Sequence, residues 1–173
     1  MAIADDILAQ LDAGTLNQIA AQIGLDPDKV KGVIQDSLPA LLGGMEKNVQ
    51  SNEGAASLAS ALGDHAQANP LGDIGGLVSG VLGSGILDKV FGGAAPNVSG
   101  AIAQNKDGVS GVDVQKILAI VAPIVMAYLA KRLTSDGQAD PAVVKDEVQK
   151  ASTEAKAGSP DIGSILGGLL GGK

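Results

Sequence analysis

Few side chains in this sequence have the types and spacing that catalysis requires. His65 is the one histidine, and the chain has no cysteine. Asp64 precedes it directly, but adjacent residues of a helix do not share a face. A Ser/His/Asp triad would depend on this single imidazole for every role, and no Gly-x-Ser-x-Gly turn marks a nucleophile. We therefore predict a surface position for His65, no catalytic residues and no enzyme activity.

The carboxylates and glycines do not form ligand-binding patterns either. The acidic pairs in 5–6 and 26–28 fall at predicted helix starts, where exposed N–H groups favour negative charge. Neither pair has the alternating acids and terminal glutamate of a calcium loop, and one histidine without cysteine supplies too few ligands for zinc. Segment 83–85, Gly-Ser-Gly, begins like a dinucleotide-binding loop, but Asp88 stands where the third glycine belongs and no strand precedes it. The sequence thus predicts no metal, no cofactor and no small-molecule substrate.

Charge is distributed unevenly along the chain. The net charge is −7, and residues 1–96 hold four lysines against eleven acidic residues. An acidic first half is a poor partner for nucleic acid or for an anionic membrane. The N-terminus has neither a basic start nor a long apolar run, and the most apolar stretch, Ile117–Leu129, is too short to span a bilayer. We expect a cytoplasmic protein without a membrane span, in which this stretch is a buried helix.

Residues 15–36 contain the pattern of a helix-turn-helix. Ala20 is small where two helices would touch, Gly24 turns the chain, and Val30 would pack the second helix back. A DNA-reading version would expose basic and amide side chains on the second helix. That helix instead carries mixed charge: Lys29, Lys31, Gln35, Asp28 and Asp36. We interpret the pattern as a packing device and keep DNA reading as the alternative.

Apolar residues recur at helical spacing along the chain, and no stretch alternates apolar and polar residues over the length of a strand. The fold is therefore predicted to be an all-α bundle of about eight to ten short helices. Gly14 and Gly24 are predicted to close the first two helices, and Thr15 and Asp26 to cap the second and third. The predicted helices cover residues 3–11, 15–23, 27–42, 52–69, 73–82, 85–91, 97–104 and 112–133, and a last amphipathic helix starts at Pro141 and carries Val143, Val144 and Val148.

Two segments of the chain share one pattern. Residues 26–42 and 110–126 each begin with a helix-start signal, continue with apolar positions at helical spacing, and contain a proline late in the run, Pro39 and Pro123. This similarity predicts pseudo-duplicated halves that pack together. Each proline is expected inside the core, with a kink or a break in its helix.

Glycine-rich segments lie in the middle and at the end of the chain. Segment 70–96 has too many aliphatic residues for a flexible linker, and Phe91 is predicted to fill a hole there and pin the two halves together. Residues 159–173 repeat its pattern, with a small residue at every fourth position. They are predicted to dock on their own domain or on another copy, and the alternative is a frayed, glycine-rich terminus. The predicted domains are 1–135, with halves of about 1–69 and 97–135 joined by 70–96, and a C-terminal helix plus glycine-rich tail over 136–173.

Several of these segments together resemble the YidB-like bacterial family (domain of unknown function 937). They are Gly85–Gly93, the helix Asn97–Gln104, the Asp107-Gly108 turn, the run Ile117–Leu129, and in the first half Leu38–Gly44. The resemblance covers roughly residues 3–135. It implies a small all-helical protein with a homeodomain-like bundle, and it implies no activity, cofactor or catalytic residue.

These observations favour association with proteins over association with DNA. We expect a non-enzymatic bacterial protein that acts by self-association, as a homo-oligomer, or by binding a protein partner. The alternative is a DNA-associated accessory protein that uses residues 15–36. Binding to heparin or duplex DNA at low salt separates the two.

Overall fold

The computed structural model describes residues 3–67, 69–73, 75–76, 81–135, 138–158, 164 and 167–168, with the backbone alone at residues 4, 81–84 and 135. Its helices are α1 (Ile3–Gln10), α2 (Ala13–Ile23), α3 (Pro27–Asn48), α4 (Asn52–His65), α5 (Val81–Phe91), α6 (Ala95–Gln104), α7 (Gly111–Leu133) and α8 (Pro141–Gly158). Short 3-10 turns cover Pro70–Gly72 and Gly92–Ala94, and the two-residue strands β1 (Thr134–Ser135) and β2 (Gln138–Ala139) pair antiparallel. The predicted all-α class is confirmed for these residues.

Side-chain caps fix where the first helices begin. Asp12, and not the predicted Thr15, caps α2: its Oδ1 accepts a hydrogen bond from the Thr15 backbone N–H at 2.7 Å. Hydrogen bonds from Thr15 and from the Gly14 backbone hold the pKa of Asp12 below its ordinary value. Gly14 therefore lies inside α2 and does not close α1. The cap predicted for α3 is confirmed, because Asp26 Oδ1 accepts from the Asp28 N–H at 3.0 Å.

Helix α7 is the centre of the core. It packs against α3, α4, α5 and α6, and Leu118 and Leu129 on it are fully buried. Its bounds agree to within one residue with the predicted helix over 112–133, of which Ile117–Leu129 is the most apolar part. In the described part of the chain it is the one helix long and apolar enough to cross a membrane, yet 72% of its most apolar window is buried against the other helices. That burial is what a central core helix requires.

The two internal prolines are buried, as predicted, but neither breaks its helix. Pro39 lies within the continuous helix α3 and Pro123 within the continuous helix α7. Proline removes one intrahelical hydrogen bond, and apolar packing on both sides of each residue outweighs that loss. A break is therefore absent at both prolines, while the kink that was the other predicted outcome and the duplication of the two halves stay predictions.

The first glycine-rich segment joins the core through its second helix. Observed α5 begins at Val81, whereas residues 74 and 77–80 of the predicted helix 73–82 lie outside the described residues. Phe91 is buried, as predicted, against α3. A Cβ on Gly44 would lie 2.6 Å from Val90 Cγ1 and 2.9 Å from Phe91 Cε1, so glycine is what lets α5 approach α3 this closely.

Helix α8 packs on the same core as the helices before it. It contacts α1, α3 and α4, and it buries Val144, Val148, Ala151 and Ala155. Val143, which the sequence grouped with the apolar residues of this helix, is instead 46% exposed.

Glu46 on α3 anchors α8 through two polar contacts. Its Oε2 accepts hydrogen bonds from Ser152 Oγ at 2.7 Å and from Lys156 Nζ at 2.5 Å. Burial favours the neutral acid, but these hydrogen bonds and the Lys156 charge outweigh it and lower the pKa of Glu46.

Candidate functional site

A cleft of about 770 Å³ opens between α4 and α5. Both helices pack on α3 and α7, which supply the floor through Met45 and Met126. Leu58 on α4 and Val90 on α5 form apolar walls. A mostly apolar concavity of this size is the usual form of a binding site in a protein of this length.

Each wall of the cleft is one face of a helix. The residues of a wall follow one another at intervals of three and four positions, which places their side chains on the same face of the helix. On α4 they are Gly54, Ser57, Leu58, Ser60, Ala61, Asp64 and His65, and on α5 they are Gly85, Ile86, Lys89 and Val90. The α4 wall extends over roughly 17 Å, since each helical residue rises about 1.5 Å.

Each wall of the cleft contains a glycine, and the two glycines have different roles. No described atom lies within 4 Å of the position that a Cβ of Gly85 would occupy. Gly54 is required for a different reason, because a Cβ there would collide with the backbone carbonyl oxygen of Asn48. A side chain at Gly85 would therefore project into free space.

Asn48 holds one end of the cleft together. Its Nδ2 donates to the carbonyl oxygens of Lys89 at 2.9 Å and Val90 at 3.0 Å, and to that of Gly44 at 3.2 Å. These bonds satisfy carbonyl groups at the C-terminal end of α5, which would otherwise lack helical partners. Because Gly54 also lies against Asn48, the start of α4 and the end of α5 meet here, and Asp64 lies at the other end of the cleft.

His65 lines the cleft and is half-buried, so its predicted surface position is only partly right. Its Nδ1 lies 2.8 Å from the carbonyl oxygen of Ala61 one turn earlier, and because a carbonyl oxygen can only accept, Nδ1 carries a proton in this contact. Neither Asp64 nor any other described carboxylate is hydrogen-bonded to the imidazole. The geometry therefore lacks the oriented base that a nucleophilic triad needs.

The polar groups of the described residues are otherwise committed to structure. Every buried side-chain nitrogen or oxygen atom among them has a hydrogen-bond partner, and no three of their His, Asp or Glu side chains converge as metal ligands. Asp6, one of the acids weighed as a ligand, accepts a hydrogen bond from the Tyr128 hydroxyl at 2.9 Å and so ties α1 to α7. The arrangement can recognise apolar shape, and it offers no assembled reaction centre in the described residues.

The helix-turn-helix segment lies apart from the cleft. Ile19, Ala20 and Val30 are buried where α2 and α3 meet, as a packing device requires. Lys29, Lys31 and Gln35 are exposed on α3. Among the acids nearby, Asp36 is paired with Lys106 at 3.0 Å.

A comparison with protein-family models identifies the family of this chain. Residues 5–132 match a family described as "bacterial protein of unknown function (DUF937)". The chain belongs to this family. The match to the DUF937 model includes every residue that lines the cleft and excludes α8 and the tail. Searches of curated proteins and of solved structures found no match to this DUF937 protein.

Sequence reasoning did not find the cleft of this DUF937 protein. Its walls and floor come from four helices that are separated along the chain, from Met45 to Met126. The available signals were Gly54 and Gly85, one on each wall, which are unusual inside helices because glycine disfavours helix formation by about 1 kcal/mol.

Proposed function

We propose that this protein is non-catalytic and binds an apolar helical segment of a protein in the cleft between α4 and α5. The observation that carries the proposal is the cleft itself, an open groove with apolar walls and a floor of two methionines. An amphipathic helix that lays its apolar face into a hydrophobic groove is a recurrent mode of protein recognition. A wall of roughly 17 Å accommodates about three turns of such a helix.

Methionine suits the floor of such a site. Met45 and Met126 lie beneath the groove with 0% and 2% of their surface exposed, and their unbranched, flexible side chains can adjust when a helix binds above them. The charged residues lie toward the ends of the groove, where Lys89 is exposed at one end and Asp64 at the other, and Ser57 and Ser60 line the α4 wall between them. Charges at the ends of an apolar groove fix the direction of a bound segment more than its affinity.

We also propose that the cleft does not catalyse a reaction, and the surroundings of His65 support this. His65 is the one histidine of the chain, and its Nδ1 is engaged with a backbone carbonyl. Ser57 and Ser60 line the same cleft, but neither is hydrogen-bonded to the imidazole in the described structure. A cytoplasmic location stays a prediction from the sequence.

A site-specific photo-crosslinker tests the proposal in the host bacterium. A benzophenone amino acid at Ser57, which is exposed and lines the cleft, is expected to capture a protein segment identifiable by mass spectrometry. The matched control is Ala56, which is exposed on the same helix but does not line the cleft. Capture at both positions alike, or capture that survives filling the cleft by Gly85→Leu, would contradict the proposal.

DNA association is the second candidate, and exposure of Lys29, Lys31 and Gln35 on the second helix of the α2–α3 motif favours it. The same surface carries Asp28, and the first half of the chain is acidic, which weakens attraction to phosphate. The homeodomain-like arrangement implied by the family resemblance belongs to this second proposal. Salt-dependent retention of duplex DNA that is lost in Lys29→Glu would support it.

A further inference from the structure

We propose that the helix bound in the cleft carries an acidic residue in its first turn and a basic residue in its last turn, about eleven positions apart. This inference rests on the proposed function and names the chemistry of the partner. It follows from two charged side chains that line the cleft, Lys89 on α5 and Asp64 on α4. Charge complementarity at the two ends of the groove then selects the segment that binds there and its direction.

Both charged side chains are available to a partner. Lys89 and Asp64 are exposed, and within the described part of the chain neither side chain takes part in an ion pair or a hydrogen bond. Only the backbone carbonyl of Lys89 is engaged, by Asn48 Nδ2 at 2.9 Å. Asp88, the acidic neighbour of Lys89, does not line the cleft. A bound segment can therefore pair with each charge without breaking a contact within the protein.

The two charges lie at opposite ends of the cleft. Lys89 lies where α4 begins, because Asn48 holds the end of α5 and also lies against Gly54. Asp64 is ten residues further along α4 than Gly54, a rise of about 15 Å. Beside Lys89, the positive start of α4 and the negative end of α5 offset each other, whereas the last carbonyls of α4 add to the negative charge of Asp64. The cleft is therefore positive at one end and negative at the other.

A helix with an acidic start and a basic end matches this distribution of charge. Eleven residues of an α-helix make about three turns and rise about 16 Å, so the first and the last of them present their side chains on nearly the same face. An acid near the start and a base near the end also stabilise the free helix, because they oppose the partial charges of its own ends. Such a partner is partly ordered before it binds and loses less entropy on binding. It lies parallel to α4, with its acid at Lys89 and its base at Asp64.

Binding of synthetic helical peptides to the full-length protein tests this pattern. Three peptides share one leucine stripe and differ only at two positions about eleven residues apart, which hold Glu and Lys, Gln and Gln, or Lys and Lys in chain order. Fluorescence anisotropy at low salt should show that the wild type binds the Glu/Lys peptide most tightly, with a gain over the Gln/Gln peptide of up to about fivefold for each exposed charge pair. Added salt should remove this difference.

Reversal of one charge in the cleft should change the preference. Lys89→Glu makes both ends of the cleft negative, so this variant should bind the Lys/Lys peptide most tightly. Lys47→Glu is the matched control, because Lys47 is exposed in the last turn of α3 and does not line the cleft. The control should keep the wild-type preference, and circular dichroism checks that both variants are folded. A nitroxide at the N-terminus of the Glu/Lys peptide should broaden the amide signal of Gly54 more than that of His65.

Other results would overturn the inference. Equal affinity of the wild type for all three peptides, or an unchanged preference in Lys89→Glu, removes the charges from recognition, and stronger broadening at His65 removes the parallel direction. If the peptides bind the wild type but not Gly85→Leu in these cases, the inference fails while the proposed function stands. If no peptide binds, the segment captured at Ser57 decides: one without the acid and base in this order overturns the inference alone, and no capture overturns both.

Discussion

Alanine at Gly44 is expected to destabilise the protein, because this glycine lets α5 pack closely against α3. Its Cβ would lie 2.6 Å from Val90 Cγ1 and 2.9 and 3.0 Å from two ring carbons of Phe91. Contacts below 3.0 Å require a shift, and α5 has little freedom to move because Asn48 holds the carbonyls of Lys89 and Val90.

The expected change in the free energy of unfolding is the difference between two effects. Overpacking in a core costs about 1–3 kcal/mol. Replacing glycine by alanine inside a helix recovers about 1 kcal/mol. The Gly44→Ala variant should therefore lose up to about 2 kcal/mol, which in a chain of this size corresponds to about 2–4 °C in Tm for each kcal/mol.

Urea and thermal denaturation followed by circular dichroism measure this difference. Gly100→Ala is the matched control, because it is the same change inside a helix and no atom lies within 4 Å of its Cβ position. The control should be more stable than the wild type, by up to about 1 kcal/mol. In a Val90→Ala background the cost of Gly44→Ala should fall, since the nearest obstructing atom is gone. A Gly44→Ala variant as stable as the Gly100→Ala control would refute the close approach of α3 and α5.

Two further predictions concern the core and its attachment to α8. Leu118→Ala in the centre of α7 should cost about 2–5 kcal/mol, measured by urea denaturation, whereas a change within about 0.5 kcal/mol would show that α7 is not the core helix. Because the pKa of Glu46 is lowered in the fold, its ionised form contributes stability that is present above the unfolded value of about 4.3 and is lost as the pH falls through the folded pKa. Stability measured between pH 3 and 7 should therefore depend less on pH in Glu46→Gln than in the wild type, and identical pH profiles would count against the contact of Glu46 with Ser152 and Lys156.

Local signals in the sequence predicted local structure well. The apolar spacing around Leu118 identified a buried helix, and Asp26 identified the start of α3 correctly. The buried position of Phe91 was also predictable, because a single phenylalanine among small aliphatic residues has few other places to lie. These features depend on neighbours a few residues away, and such neighbours are visible in the sequence.

Features that depend on distant contacts were not predictable in the same way. Helix α3 continues through Pro39, where the sequence predicted burial together with a kink or a break. Whether the helix breaks depends on how distant parts of the core pack around the proline, and no local pattern reports that packing. His65 was predicted to be on the surface because its sequence neighbours are polar, but α5 lies across from it and forms the other wall of the cleft. The cleft exists only once α4 and α5 are both packed on α7, so no stretch of sequence contains it.

The chain's methionines allow the most direct test of the cleft as a helix-binding site. The sequence has three methionines, and two of them, Met45 and Met126, form the floor of the cleft. In a protein labelled with ¹³C at the methionine methyl groups, a synthetic peptide of the segment that the crosslinker at Ser57 captures should shift the signals of Met45 and Met126. The Met1 signal and the Gly85→Leu protein, whose cleft is filled, serve as controls. Unchanged Met45 and Met126 signals at saturating peptide would contradict the account.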